Sequence, residues 1–217
     1  MKHQYSFLLA IALSLTCHVS SARANILAIA FSPDSEILAT ASGGFVALMG
    51  VQSGKQIGGL SQPVGSNCLA FSPDGKTLVV GVSGDGIRKK SEIWIWDVAK
   101  RQVLLKRITS DRNLSKLVFS PDGHTLVTGS QNKMCLWDTR TWQVKSTLKE
   151  GNISSVCFAF SPDGNYLVVG ECHSWESIDY LNERASAGGL ELWDMKKLRL
   201  KHTFQKNVDA VYTVTFS

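Results

Sequence analysis

Phe119-Ser120-Pro121-Asp122-Gly123 decides how this chain folds, because it recurs. The same five residues stand at Phe71 to Gly75 and at Phe160 to Gly164. Phe31-Ser32-Pro33-Asp34-Ser35 is a near copy, and Phe216-Ser217 begins a fifth. Successive copies are 40, 48, 41 and 56 residues apart. Ser-Pro-Asp-Gly suits a type I turn: Pro fixes φ at the second position and Gly closes the fourth. A short apolar run precedes each turn, as in Leu117-Val118-Phe119. Seven residues past each Phe comes a Leu: Leu38, Leu78, Leu126 and Leu167. Two apolar runs joined by a tight Pro/Gly turn predict a β-hairpin, and they lack the 3.6-residue spacing of a surface helix.

A second landmark follows each hairpin. Trp96-Asp97, Trp137-Asp138 and Trp193-Asp194 end further apolar runs, and Met49-Gly50 holds that place in the first copy. From landmark to next Phe the distance is nearly fixed, at 22, 23, 23 and 23 residues. From Phe to landmark it varies, at 18, 25, 18 and 33. Length change inside a strand would disrupt pairing, so the extra residues belong to loops. They fall near Ser83 to Glu92 in the second repeat and Cys172 to Gly189 in the fourth. A fourth strand is expected after each landmark, at Lys55–Ile57, Gln102–Ile108, Trp142–Leu148 and Leu198–Phe204.

Four short strands in roughly 40–45 residues is the period of a propeller blade. On its Phe-Ser-Pro-Asp-Gly turns and its Trp-Asp pairs in register, the chain resembles the WD-repeat β-propeller family from about residue 25 to 217. The expected fold is all-β, a propeller of four-stranded antiparallel blades at about 25–61, 65–109, 114–149 and 154–205, with a fifth beginning at 210. Rings of this family usually close with about seven blades, so the chain reads as a fragment of a larger ring. The resemblance makes Phe31, Phe71, Phe119 and Phe160, with Trp96, Asp97, Trp137, Asp138, Trp193 and Asp194, structural landmarks. It also implies a hydrogen-bond network in which a strand-two Ser meets the Trp, a role open to Ser42, Ser83 and Ser130. No His stands where the family places one.

Residues 1–24 differ from the rest. Lys2 is basic, Phe7 to Cys17 is apolar and Ala22-Arg23-Ala24 offers small residues for cleavage, the pattern of a secretory signal too short to span a bilayer. The alternatives are a strand from an earlier blade and a lipoprotein signal at Cys17. Cleavage implies a periplasmic or extracellular protein with no membrane span; otherwise the chain is cytoplasmic. Loss of Lys2 and Arg23 would leave 21 Lys and Arg against 18 acids. That balance is no nucleic-acid footprint, and the basic residues look scattered apart from Arg88-Lys89-Lys90 and Lys196-Lys197. Cys68, Cys135 and Cys157 read as small buried residues; Cys68 and Cys157 hold equivalent places in separate blades and cannot bridge.

Chemistry is sparse. No Ser/His/Asp constellation stands out. Glu171-Cys172-His173 has no partner cluster for a metal, and Gly84-Asp85-Gly86 lacks the context of a phosphate loop. No metal and no cofactor is expected, and His124 reads as an exposed turn residue. The resemblance implies a non-catalytic scaffold that binds another protein through a disc face or rim. Both insertions lie between second and third strands, so both rise from the face opposite the turns. In the second, Trp175, Ile178, Leu181 and Ala185 recur at helical steps after Ser174. Arg88, Lys89, Lys90, Trp175 and Tyr180 are the expected contacts, because aromatics and Arg favour interfaces. The alternative is a small-ligand sensor or enzyme on the propeller channel. Against it, the innermost strands carry Ala28, Cys68, Lys116 and Cys157 at equivalent points.

Overall fold

The structure, a computed structural model, describes residues 25–42, 44–61, 65–84, 90–109, 113–130, 133–151, 155–172, 188–208, 211 and 213–216. Among them the protein is all β, in four antiparallel sheets of four strands. The first holds β1 (Ile26–Phe31), β2 (Ile37–Ser42), β3 (Phe45–Gly50) and β4 (Gln56–Ser61). The second holds β5 (Ser66–Phe71), β6 (Thr77–Val82), β7 (Glu92–Asp97) and β8 (Gln102–Ile108). The third holds β9 (Lys116–Phe119), β10 (Thr125–Gly129), β11 (Lys133–Asp138) and β12 (Gln143–Glu150). The fourth holds β13 (Ser155–Phe160), β14 (Tyr166–Cys172), β15 (Gly188–Asp194) and β16 (Arg199–Val208). Each sheet is a meander in chain order. The first strands lie side by side, β1 by β5, β5 by β9 and β9 by β13, as in blades set around an axis.

The register explains the spacing of the landmarks. Phe119 pairs with Leu126, and Leu126 pairs in turn with Trp137. Phe71, Leu78 and Trp96 form the same row, as do Phe160, Leu167 and Trp193. In the first sheet the row is Phe31, Leu38 and Met49. The motif Phe, the Leu seven residues on and the Trp are thus one line of cross-strand neighbours, the unit that stabilises a sheet.

The turns carry their own bonds. Gly75 N–H donates to Ser72 O at 2.9 Å and Thr77 N–H donates to Ser72 Oγ at 3.0 Å. Ser72 Oγ donates to Asp74 Oδ1, which also accepts the Lys76 N–H. The pattern repeats around Ser32, Ser120 and Ser161. These bonds favour the charged carboxylate: Asp34, Asp74 and Asp122 lie below the usual range, and Asp163 is held at about 2, the Ser hydroxyl being the largest cause. Gly75, Gly123 and Gly164 have φ near +70°, and the near copy puts Ser35 there at +61°. The second turn works alike. Asp97, Asp138 and Asp194 accept backbone N–H groups two or three residues on. Arg101, Trp142 and Leu198 then take positive φ. In the first sheet, where Gly50 replaces the Asp, Gly54 takes that conformation.

The cores lie between sheets. Ala39, Val46 and Leu48 of the first share one buried cluster with Phe71, Leu78, Val80 and Trp96 of the second. Val79, Ile93 and Ile95 meet Leu117, Phe119 and Trp137 of the third. Val127, Met134 and Leu136 meet Phe158, Leu167 and Trp193 of the fourth. Leu114, just before β9, fits over Gly81 of β6 beside Cys68; a methyl at Gly81 would strike both side chains.

β4 runs to Ser61, β12 to Glu150 and β16 to Val208, beyond the expected Ile57, Leu148 and Phe204. Gly58 and Gly59 hide the first extension, since Gly is depleted in strands; the Phe45 ring occupies the space a Gly59 side chain would need. Cys68, Cys135 and Cys157 are buried, as expected. The second insertion, 173–187, lies outside the described residues, and with it the expected helix after Ser174.

Replacing Ser35 by Gly relieves a left-handed conformation that costs an L-residue about 1 kcal/mol, partly offset by the greater freedom of Gly in the unfolded chain. Thermal unfolding of Ser35→Gly is expected at higher temperature than that of the parent, and of Gly123→Ser at lower.

Candidate functional site

The second sheet's insertion springs from a fixed base. Ser83 Oγ donates to the Leu114 carbonyl at 3.1 Å, and the Leu114 N–H donates to Ser91 Oγ at 3.2 Å. Both ends of the loop are therefore stapled to one residue of the next blade. Ser91, fully buried, also accepts both the N–H and the hydroxyl of Thr109 through its carbonyl. Lys90, the residue before Ser91, is exposed. β6 and β14 run away from their Ser-Pro-Asp-Gly turns, so both insertions leave at the ends opposite those turns. Of the expected contacts, Lys90 alone is described; Arg88, Lys89, Trp175 and Tyr180 lie outside the described residues.

Beside Lys90 a cleft of about 420 Å³ separates the second blade from the third. The second blade contributes Lys90, Ile108 and Thr109. The third lines it with Leu114, Thr128, Cys135, Trp137 and Val144. Ile108 is 68% exposed and Val144 50% exposed, so the rim of the cleft is apolar and open. Arg107 Nε, next to Ile108, donates across the gap to the Trp142 carbonyl at 3.0 Å. Trp142 in turn sets its ring edge-on to Phe119.

Trp137 shows where the expected Ser–Trp network departs from expectation. Its Nε1–H donates to Thr128 Oγ1 at 3.0 Å, within β10, and not to a Ser. Ser130 Oγ instead donates to the Lys133 carbonyl in its own turn, Ser83 holds Leu114, and Ser42 pairs with Phe45 in a sheet that has no landmark Trp. The physical reason is reach: the residue two past the Leu of the strand row lies diagonal to the Trp, and the Ser lies further along, at the loop. In the fourth blade that diagonal position is Val169, and Trp193 Nε1–H donates to Glu191. In the second it is Val80, Trp94 stands where Glu191 would, and buried Trp96 Nε1 has no partner.

Charge is sorted by strand. The fourth strands with their leading turns, 51–61, 98–108, 139–150 and 195–208, hold thirteen of the chain's 23 Lys and Arg but one of its 18 acids, Glu150. Along the linear sequence these residues look scattered; the blades gather them on the outer rim. Counting charges by strand position would have found them. Some are engaged: Lys149 with Glu191 at 2.9 Å, Lys106 over the Trp94 ring at 3.5 Å and Lys201 over Tyr166. Lys145, Lys196, Lys197 and Arg199 are exposed. Leu104, Ile108, Val144, Leu200 and Phe204 are exposed among them.

Near the axis, Cys68 pairs with Gly81, Lys116 with Gly129 and Cys157 with Gly170. Burial pushes the Cys68 thiol up to about 12 and raises that of Cys157, although Lys116 pulls both down. Neither is a thiolate nucleophile near neutral pH. Among the described residues no group of three His, Cys, Asp or Glu is placed to hold a metal ion, and no helix is long and apolar enough to cross a membrane.

A family model described as WD domain, G-beta repeat matches residues 11–48, 54–87, 104–138 and 142–177, more than half of the chain. The later three matches begin within two residues of the start of an outer strand, β4, β8 or β12, and the first reaches into the stretch that reads as a leader. The comparison with curated proteins gives no match. Among solved structures, 1375 chains match, so the fold itself singles out no chemistry. One is Kuenenia stuttgartiensis hydrazine synthase, 20% identical with a TM-score of 0.70 over 90% of this chain. The match spans 52% of that chain, and at this identity it shows the fold alone.

Val80→Thr would give Trp96 Nε1 the acceptor that Thr128 gives Trp137. It is expected to raise stability by about 1 kcal/mol, with Thr128→Val lowering it by a similar amount. Denaturant titration of both variants checks this; a destabilised Val80→Thr would contradict it.

Proposed function

Because the chain belongs to the family described as WD domain, G-beta repeat, we propose that it is a non-catalytic scaffold that binds another protein through loops on the face opposite its Ser-Pro-Asp-Gly turns. Repeats of this family generally serve protein interaction. The observation that carries the proposal is the doubly stapled base of the second blade's insertion, which fixes the loop's ends and presents Lys90 to solvent. A loop held at both ends loses less freedom on binding. Arg88, Lys89 and Lys90, with Trp175 and Tyr180 of the other insertion, are the proposed contacts.

The rival, a sensor or enzyme on the channel, would need converging carboxylates, His or metal ligands on the innermost strands. The residues there are Ala28, Cys68, Lys116 and Cys157, and burial keeps the thiols protonated. Export through a leader at 1–24 is part of the proposal, and the family match from residue 11 competes with it for part of that stretch.

The test is affinity purification of the tagged full-length chain from its native source, followed by variants. Trp175→Ala and the charge reversal Lys90→Glu are each expected to reduce recovery of the bound protein by about tenfold with unchanged thermal stability. Unchanged recovery in both would overturn the contact assignment, and absence of any bound protein would overturn the scaffold reading.

A further inference from the structure

Beyond the face loops, the geometry points to a second element of recognition: we infer that the cleft between the second and third blades, with the outer edge of β8, binds an extended acidic segment of a protein partner carrying an apolar side chain. The inference rests on the scaffold reading and adds the chemistry of what is bound.

Three observations converge. The first is charge: residues 51–61, 98–108, 139–150 and 195–208 carry thirteen basic residues and one acid, Glu150, which is taken up by Lys133 at 2.9 Å, while Asp97 and Asp138 at the ends of the third strands engage only Lys100 and Arg140 of the thirteen, each at 3.5 Å. Lys90 lines the cleft and is exposed, and Lys145, exposed, follows the lining residue Val144 in the chain, so a polyanionic chain is attracted and a cationic one repelled.

The second is apolar exposure. Lys on an outer strand is a common guard against edge-to-edge pairing, and such a guard would account for the lysines alone. It does not account for Ile108, the most exposed of the large hydrophobic residues described, nor for Leu104 and Val144, each at least half exposed. Ile108 and Val144 flank the opening, and Leu114 and Trp137 lie behind it. The space, about 420 Å³, is in the range of a ligand pocket and takes one large apolar side chain with room to spare.

The third is backbone. β8 ends its sheet, so among the described residues no strand lies beside its outer N–H and C=O groups. From Ile95–Leu105 to Glu92–Ile108 its pairing with β7 runs without a shift, which leaves that half of the edge regular enough to accept another strand. β16 is longer, yet its pairing breaks register three times, which blunts its edge. An extended polypeptide uses all three features. A flat lipid surface would reach only part of a convex rim and could not use the strand edge, and a nucleic acid would leave the apolar flank unmatched.

The probe is a fluorescein-labelled peptide of about ten residues, alternating Glu and Val around a central Leu, long enough to span the edge. Binding to the full chain is read by fluorescence anisotropy at low and moderate salt. Saturable binding that weakens with salt is expected. Ile108→Ser and Lys145→Glu, both at exposed positions, should each weaken it about tenfold, and Lys55→Glu on the first blade's rim should not. The inference is overturned if a Lys-for-Glu version of the peptide binds as well, if both cleft variants bind unchanged, or if phosphatidylserine vesicles or a single-stranded oligonucleotide compete the peptide away at the same site. If no peptide binds while a protein still co-purifies with the chain, this inference falls and the scaffold reading stands.

Discussion

Burial of each sheet against its neighbour is what the rest of this structure depends on. Phe71 and Phe119 are almost fully buried because each belongs to a cluster shared with the preceding blade. Phe31, the same residue of the same motif, is 38% exposed, and Leu27 and Ile29 beside it are about half exposed. The first sheet has no described blade in front of it, and its motif shows what every other sheet would expose alone. Apolar area removed from water stabilises at about 25 cal/mol per Å², and here that area is created at the joints. Stability in such an array is a sum of repeat and nearest-neighbour contributions.

Side-chain detail reinforces the joints. Leu114 completes the space over Gly81, and its backbone ties down both ends of the neighbouring insertion. Arg107 bonds the Trp142 carbonyl and Lys149 pairs with Glu191, each across a joint. Pro33, Pro73 and Pro121 lie against Gly75, Gly123 and Gly164 of the following turns, so the face that carries the turns is continuous from blade to blade. The positions left free to differ are the loops on the opposite face and the outer strands, and both proposed recognition elements lie there.

Much of the fold was legible because its signals are local. The Ser-Pro-Asp-Gly bonds close within six residues, and the fixed interval from Trp to Phe records a turn, the outer strand, one crossing between blades and the first strand of the next blade. The strand row of Phe, Leu and Trp follows from that spacing once the turn is known. The partner of the landmark Trp was not legible, because Thr128 is selected by a diagonal reach across β10 and β11, and the Ser nearest the loop looked equally suited. Nor were the cleft and the basic rim, since Lys90, Ile108 and Val144 are brought together by the angle between blades and not by any spacing. Three of the four fourth strands were read short, at their Gly58-Gly59, Lys149-Glu150 and Gln205 to Val208 ends, where propensity is weak.

Native-state hydrogen exchange of the parent and of Leu48→Val tests shared burial most directly. Leu48 lies on β3 and is 2% exposed within the cluster that also holds Leu78, Val80 and Trp96. If the core belongs to the joint, trimming Leu48 lowers protection in β6 and β7 of the second sheet as well as in β2 and β3. A loss confined to the first sheet would mean that each blade is stable by itself, and would contradict the nearest-neighbour origin of the fold.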